Sequence, residues 1–281
     1  MNKDYLKELF AKYLQEDIGD GDHSSLSTIP QNKIGICQLL IKQNGIIAGV
    51  DIVEELFKYV YPDSVFTKFI NDGDFIKVND IVFTIEMPVV KLLSTERLSL
   101  NILQRMSGIA SETYKYVEIL KGTNTKLLDT RKTTPGFRFF EKEAVRIGGG
   151  VNHRFGLYDM IMLKDNHIDF AGGIKNAIAK ANNYIKSLNK ELKIEIEART
   201  IDDIKLIMEI GGVDRIMLDN FDIINTKKAI EIINGMYEIE SSGGISYQNI
   251  REYAECGVDF ISVGALTHQV KSLDMSLKAL F

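Results

Sequence analysis

A parallel α/β barrel preceded by a smaller α/β domain is the architecture that this 281-residue sequence predicts. Three observations lead to it. From residue 126 onward, short apolar runs alternate with helical segments; charged residues and glycines stand at or just past the ends of those runs; and the first 110 residues show no such rhythm. Repeated βα units imply a parallel sheet, and six in succession favour a closed barrel over an open sheet.

Leu6, Leu9, Phe10, Tyr13 and Leu14 recur at helical spacing and predict an amphipathic helix over residues 4–16. Met1-Asn2-Lys3-Asp4 leads into it without an apolar signal region, and no apolar run reaches membrane-spanning length, so a soluble, cytoplasmic protein is expected. The carboxylates of the loop from Glu16 to His23 miss calcium-loop spacing whether counted from Asp17 or Asp20, which leaves a structural turn. Strands are predicted at 34–42 and 45–49, then a helix at 51–60 closed by Tyr61-Pro62. Residues 64–87 read as short strands split by turns at Asn71–Asp74 and Val78–Asp80; a biotinyl or lipoyl carrier would need a lysine at a hairpin tip between methionines, and none stands there. A long helix follows over 94–120, with Ser94 as N-cap and Leu98, Ile102, Met106 and Ile109 on one face. Taken residue by residue, Arg97 and Arg105 on this helix are surface charges. The domain change is expected inside it, giving an N-terminal α/β sandwich over 1–110 and a barrel over 111–281, whose last helix can pack back on the first domain.

The barrel strands are expected at Lys126–Asp129, Met160–Lys164, Lys193–Glu197, Arg215–Asp219, Tyr237–Ser241 and Val258–Val263, with helices such as 174–188, 201–210 and 225–233 between them. At or just past their C-terminal ends stand Asp129, Arg131, Lys132, Lys164, Glu197, Asp219, Ser241 to Gly244, and Gly264-Ala265. In a barrel these converge on the face where active sites are built.

Composition narrows the chemistry. Hydrophobic residues are 45% and charged ones 26%, an ordinary globular mix, and a pI near 5.5 with no basic stripe argues against nucleic acid as the partner. Cys37 and Cys256 have no C-x-x-C or metal-ligand spacing and read as buried thiols of a reducing compartment. Although the net charge is -5, the stretch from Arg131 to Lys164 carries an excess of four positive charges, a candidate anion site. Arg138, Lys142 and Arg146, spaced by four with Glu141 and Glu143 interleaved, read as a solvated helix face. Arg131, Lys132, His153, Arg154 and Lys164 sit at strand ends and loops and suit an acidic substrate. Glu197 and Asp219 are hard oxygen ligands for a Mg²⁺ that also touches substrate phosphates, or else partners of the nearby cations. Glycines after the last two strands let backbone N–H groups approach a phosphate, whereas Gly148–Gly150 lacks the lysine of a P-loop. His167 and His268 lack metal spacing and read as hydrogen-bonding residues. No nucleophile and base pair stands out, so the implied chemistry is substitution on a polyanionic donor, driven by positioning and charge.

D-T-R-K-T-T-P-G at 129–136, G-G-G-V-N-H-R-F-G-L-Y-D at 148–159, K-D-N-H at 164–167, L-D-N-F at 218–221, E-S-S-G-G at 240–244 and V-G-A-L-T-H at 263–268 closely resemble the quinolinate phosphoribosyltransferase family. E-D-I-G-D-G-D at 16–22 and E-R-L-S-L-N-I-L-Q-R-M-S-G-I-A at 96–110 extend the resemblance over nearly the whole chain. It implies a type II phosphoribosyltransferase fold, an N-terminal α/β sandwich with an incomplete TIM-like α/β barrel, assembled as a homodimer. It further implies that Arg131, His153, Arg154 and Lys164 receive the two quinolinate carboxylates. Lys132 would face pyrophosphate, Glu197 and Asp219 the ribose hydroxyls and Mg²⁺, and Ser242, Gly243, Gly264 and Ala265 the 5-phosphate of phosphoribosyl pyrophosphate. Arg97, in the N-terminal domain, would complete the neighbouring subunit's site. Arg199 departs from the acid or small polar residue usual in that family. The alternatives are an enzyme of the same fold for another aromatic acid, as in the molybdenum-associated relatives, and a non-catalytic binder of phosphorylated ligands.

Overall fold

The computed structural model describes residues 3–188 and 190–280; Met1 and Asn2, which precede the helix read at 4–16, lie outside the described residues. Two compact units divide the chain. One holds the chain up to Glu112, Phe139–Gly148 and the chain from Val270; the other holds Thr113–Arg138 and Gly149–Gln269. In order, the elements begin with α1 (Lys3–Ile18), α2 (His23–Thr28), β1 (Ile34–Ile41), β2 (Gly45–Ile46), α3 (Val50–Val60), β3 (Val65–Lys68), β4 (Phe75–Ile76) and β5 (Ile81–Pro88). They continue with α4 (Val89–Leu120), β6 (Lys126–Leu128), α5 (Arg138–Ile147), β7 (Ile161–Leu163), α6 (Asp165–Ala171), α7 (Ile174–Ser187), β8 (Ile194–Ala198) and α8 (Ile201–Ile210). The last are β9 (Arg215–Asp219), α9 (Ile223–Ile233), β10 (Glu238–Ser242), α10 (Ile250–Cys256), β11 (Phe260–Ser262), α11 (Ala265–His268) and β12 (Met275–Leu280).

The first unit is built on an antiparallel sheet in the order β12-β1-β5-β3. On α1, Leu6 and Phe10 are buried, as their spacing predicts. Asp22 is the structural turn's working residue: its carboxylate accepts the Ser25 N–H at 3.1 Å and caps α2. Two expectations are corrected here. Ser94 is no N-cap, because β5 runs straight into α4 at Val89 and the Ser94 hydroxyl donates back to the Val90 carbonyl within the helix. The closing segment is strand β12 rather than a helix; Met275, Leu277 and their neighbours pair antiparallel with β1, and Met275 and Leu277 are buried. It reaches β1 by crossing α4, where Gln104 Nε2 donates to the Met275 carbonyl at 3.0 Å and Arg105 Nη1 to the Val270 carbonyl at 3.0 Å. Arg105 also meets the fully buried Glu141 at 2.8 Å, so it is a structural clamp rather than a surface charge. Lys142 on α5 is likewise buried, whereas Arg146 on the same helix is exposed and pairs with Glu143.

The second unit is a parallel sheet of six strands in the order β6-β11-β10-β9-β8-β7. Among the described residues it does not close as the succession of βα units suggested: β6 and β7 are its two ends, and beyond β6 a bridge joins Leu128 to Val151. Between β6 and β7 the chain leaves for the first unit as Phe139–Gly148, so no full strand fills that seam. Because side chains alternate across a strand, Ile194, Ile196 and Ala198 cover the outer face while Glu195 and Glu197 point inward, in register with Arg215 and Met217, and these with Glu238 and Glu240. The sheet interior is therefore polar. Among the described residues, no helix is long and apolar enough to cross a membrane.

A side chain at Gly108 on α4 would overlap the Lys271 carbonyl of the crossing segment. Gly108→Ala, which in an ordinary helix interior would gain up to about 1 kcal/mol, is expected to lose roughly 1–3 kcal/mol here. Denaturant unfolding measures it, and a gain in stability would mean that the crossing is not close-packed.

Candidate active site

A cavity of about 440 Å³ opens at the C-terminal ends of the parallel strands. It gathers most of the residues that the sequence singled out: Arg131, Lys132, His153, Arg154, Lys164, Glu197, Asp219, Ser242 and Gly243 all line it. Gly264 and Ala265 are not in its wall, but Gly264 adjoins it, since a Cβ there would lie 3.0 Å from Lys132 Cδ. Arg97 is exposed on α4 in the other unit. Arg199 lies outside the wall and pairs with Asp169 at 2.9 Å on the surface.

The cationic rim is built by loops tied together through Arg138. Its guanidinium donates to the Thr133 hydroxyl at 2.9 Å and to the Phe155 carbonyl at 3.0 Å, joining the loop of Arg131 to that of Arg154. The solvated-face reading therefore fails for Arg138 as it does for Lys142. Arg131 is exposed, and Arg154 is half-buried with Nη1 donating to the Met160 carbonyl at 3.2 Å. Burial first, then the charge of Arg131, holds the Arg154 guanidinium below its ordinary pKa. Two crowded guanidiniums favour an anion between them.

Across the cavity, Lys164 caps the start of α6 and its Nζ lies 2.5 Å from Glu197 Oε1, while Glu197 Oε2 accepts the Asp165 N–H at 3.1 Å. His167 accepts the Lys164 N–H at 3.1 Å, the hydrogen-bonding role expected of it. Burial first, and then the neighbouring Glu197 charge, raises the Asp219 carboxyl above its usual range. Glu197 thus has a cationic partner as well as an acidic neighbour. At the ends of β9 and β10, Gly243 has a positive φ of 89°, and a side chain there would overlap Asn220. Only glycine fits both the backbone and the space. The Ser262 hydroxyl donates to that of Ser242 at 3.1 Å, and Thr267 Oγ1 donates to the Lys132 carbonyl at 2.7 Å.

The floor is the part that sequence reasoning missed. His153 Nε2 lies 3.1 Å from Glu195 Oε2 and 3.2 Å from Glu240 Oε2, with all three side chains buried. Arg215 Nη1 is 3.2 Å from the same Glu240 oxygen, and its guanidinium lies over the Phe260 ring at 3.9 Å. Burial pulls the His153 ring down, but the two carboxylates outweigh it and hold it up at about 9. Burial, then the charge of Glu240, raises Glu195; Glu240, which burial also pushes up, is held low by His153, Ser262 and Arg215. The available signal was the alternation itself: Glu195 stands two residues before Glu197 and shares its face.

Two family descriptions match the chain, Quinolinate phosphoribosyl transferase, N-terminal domain over residues 22–107, and Quinolinate phosphoribosyl transferase, C-terminal domain over 109–278. The chain is 40% identical to the chloroplastic nicotinate-nucleotide pyrophosphorylase [carboxylating] of Arabidopsis thaliana, over 97% of this chain and 82% of that one. It is 39% identical to the probable nicotinate-nucleotide pyrophosphorylase [carboxylating] of Bacillus subtilis, over 99% and 94%. The crystal structure of NadC from Streptococcus pyogenes superposes with a TM-score of 0.92 at 38% identity, over 100% of this chain and 99% of that one. The chain belongs to the quinolinate phosphoribosyl transferase family.

Proposed function

We infer that this chain is the quinolinate phosphoribosyltransferase of NAD biosynthesis, a pentosyltransferase that makes nicotinate mononucleotide, CO₂ and pyrophosphate from quinolinate and phosphoribosyl pyrophosphate. The observation that carries this reading is one cavity with a cationic rim on one side and two carboxylates on the other. In it Arg131, Arg154 and Lys164 hold the two quinolinate carboxylates, with His153 in the floor beneath them. Lys132 faces the departing pyrophosphate, and the 5-phosphate rests on Ser242, Gly243, Gly264 and Ala265. The pyridine nitrogen attacks ribose C1 as the bond to pyrophosphate breaks. The 2-carboxylate then leaves as CO₂, and the electron pair left on the ring carbon takes up a proton. Arg131 and Arg154 offset negative charge through both steps without forming a covalent intermediate.

Glu197 and Asp219 fit a Mg²⁺ site, since they are hard oxygen donors and burial, then the Glu197 charge, raises the Asp219 carboxyl. They fall short of the roughly six oxygens such an ion takes, so the remainder would come from substrate and water. When bound, the ion supplies charge neutralisation for the leaving pyrophosphate. A cytoplasmic setting belongs to the same reading; the free cysteines Cys37 and Cys256 support it. So does a homodimer in which Arg97, exposed on α4, enters the partner's site.

With phosphoribosyl pyrophosphate and Mg²⁺, quinolinate is expected to yield CO₂ and mononucleotide while nicotinate turns over poorly, because one carboxylate leaves cations unpaired. Equal turnover of the two acids overturns the assignment. Arg131→Ala should cost about 2–5 kcal/mol in kcat/KM, whereas Arg146→Ala, exposed and paired with Glu143, should change it by less than about 1 kcal/mol. Equal losses would refute that division of the cations. For the dimer, Arg97→Ala and Lys164→Ala, each inactive, are co-expressed. Random pairing makes about half the dimers mixed, each with one intact site, so roughly a quarter of wild-type activity should return. A mixture that stays inactive although mixed dimers are isolated would confine Arg97 to its own chain or to no site.

A further inference from the structure

The segment Val151–Arg154 lies at the open edge of the parallel sheet, and its backbone is joined to β6 only as far as Val151, whose N–H donates to the Leu127 carbonyl at 2.8 Å. Side chains take over from there. On one side Asp129 accepts the His153 N–H at 2.8 Å and the Asn152 amide at 2.6 Å. On the other, His153 Nε2 enters between Glu195 and Glu240, and Arg215 stands behind Glu240, braced by Glu238 at 3.0 Å. The chain of contacts ends at the functional rim, since Arg154 follows His153 directly and its backbone N lies 2.7 Å from His153 Nδ1.

We propose that Glu195, Glu240 and Arg215 are positioning residues for the acid-substrate pocket: they seat the His153 ring in the open seam and, because Arg154 is the next residue, fix the backbone that aims the Arg154 guanidinium. This rests on the reading of the cavity as the site of a pyridine dicarboxylate. A stabilising role alone is the poorer account, because ionisable side chains buried in a sheet interior carry a desolvation cost that apolar residues would not. A metal ion could be held by His153, Glu195 and Glu240 on spacing, but Arg215, 3.2 Å from Glu240 and 3.9 Å from Glu195, already supplies the positive charge there.

The isosteric variants Glu240→Gln and Glu195→Gln test it. Quinolinate KM should rise on the order of 10-fold, with kcat and the KM for phosphoribosyl pyrophosphate within about twofold of wild type. A merely structural role would lower Tm and the active fraction and leave KM unchanged, which overturns the proposal. In a His153→Gln background, Glu240→Gln should add little, because the two act in one chain; additive losses refute it. If Glu240→Gln does not fold, Glu195→Gln carries the same measurements. One arm needs no ligand: with ¹⁵N-arginine labelling, the Arg154 amide should shift and exchange faster in either variant. An unchanged amide overturns the proposal, whereas a wild-type protein that binds no quinolinate by calorimetry overturns the functional reading instead.

Discussion

Charge buried on the inner face of a parallel sheet is the constraint on which the rest of this structure depends. Strands covered by helices outside must be apolar on that face, and Ile194, Ile196 and Ala198 are fully or nearly fully buried. Their inward neighbours are the carboxylates Glu195 and Glu197, which water cannot reach freely. Each must find a cation, and each does: Glu195 and Glu240 share His153 and Arg215, while Glu197 takes Lys164. The register that sets β8, β9 and β10 side by side is what lets these pairs form.

The same requirement grades the cavity from floor to rim. At the floor opposite charges sit within 3.2 Å of one another, the Glu195 and Glu240 carboxylates against His153 and Arg215. At the rim burial first, and then the charge of Arg131, lowers the proton affinity of Arg154. Lys164 and Glu197 form an intermediate layer, paired at 2.5 Å.

The first unit follows a different economy of structure. Its sheet is assembled from both ends of the chain, with β12 laid against β1 and the crossing segment pressed onto α4 at Gly108. Glu141, fully buried on α5, is tolerated because Arg105 meets it at 2.8 Å. Paired charge in an interior thus recurs in both units, once to anchor a helix and once to line a cavity.

Local pattern was enough for much of this. Short apolar runs between helical segments located every parallel strand to within two residues at either end, and the charged strand ends disclosed the lining from Arg131 to Gly243, because these signals lie within a few consecutive residues. Motifs spread from Glu16 to His268 carried the family as well. What stayed hidden depends on residues far apart in the chain. The open seam, the strand at β12, the burial of Lys142 and the role of Arg105 are decided by partners that spacing cannot reveal; Met275 reads as strand only once β1 lies beside it. The Arg215–Glu240–His153 cluster is of the same kind: its members are 25 and 87 positions apart, and only the closeness of β9, β10 and the edge segment makes them one network, because burial in a shared interior couples charges that the chain keeps apart.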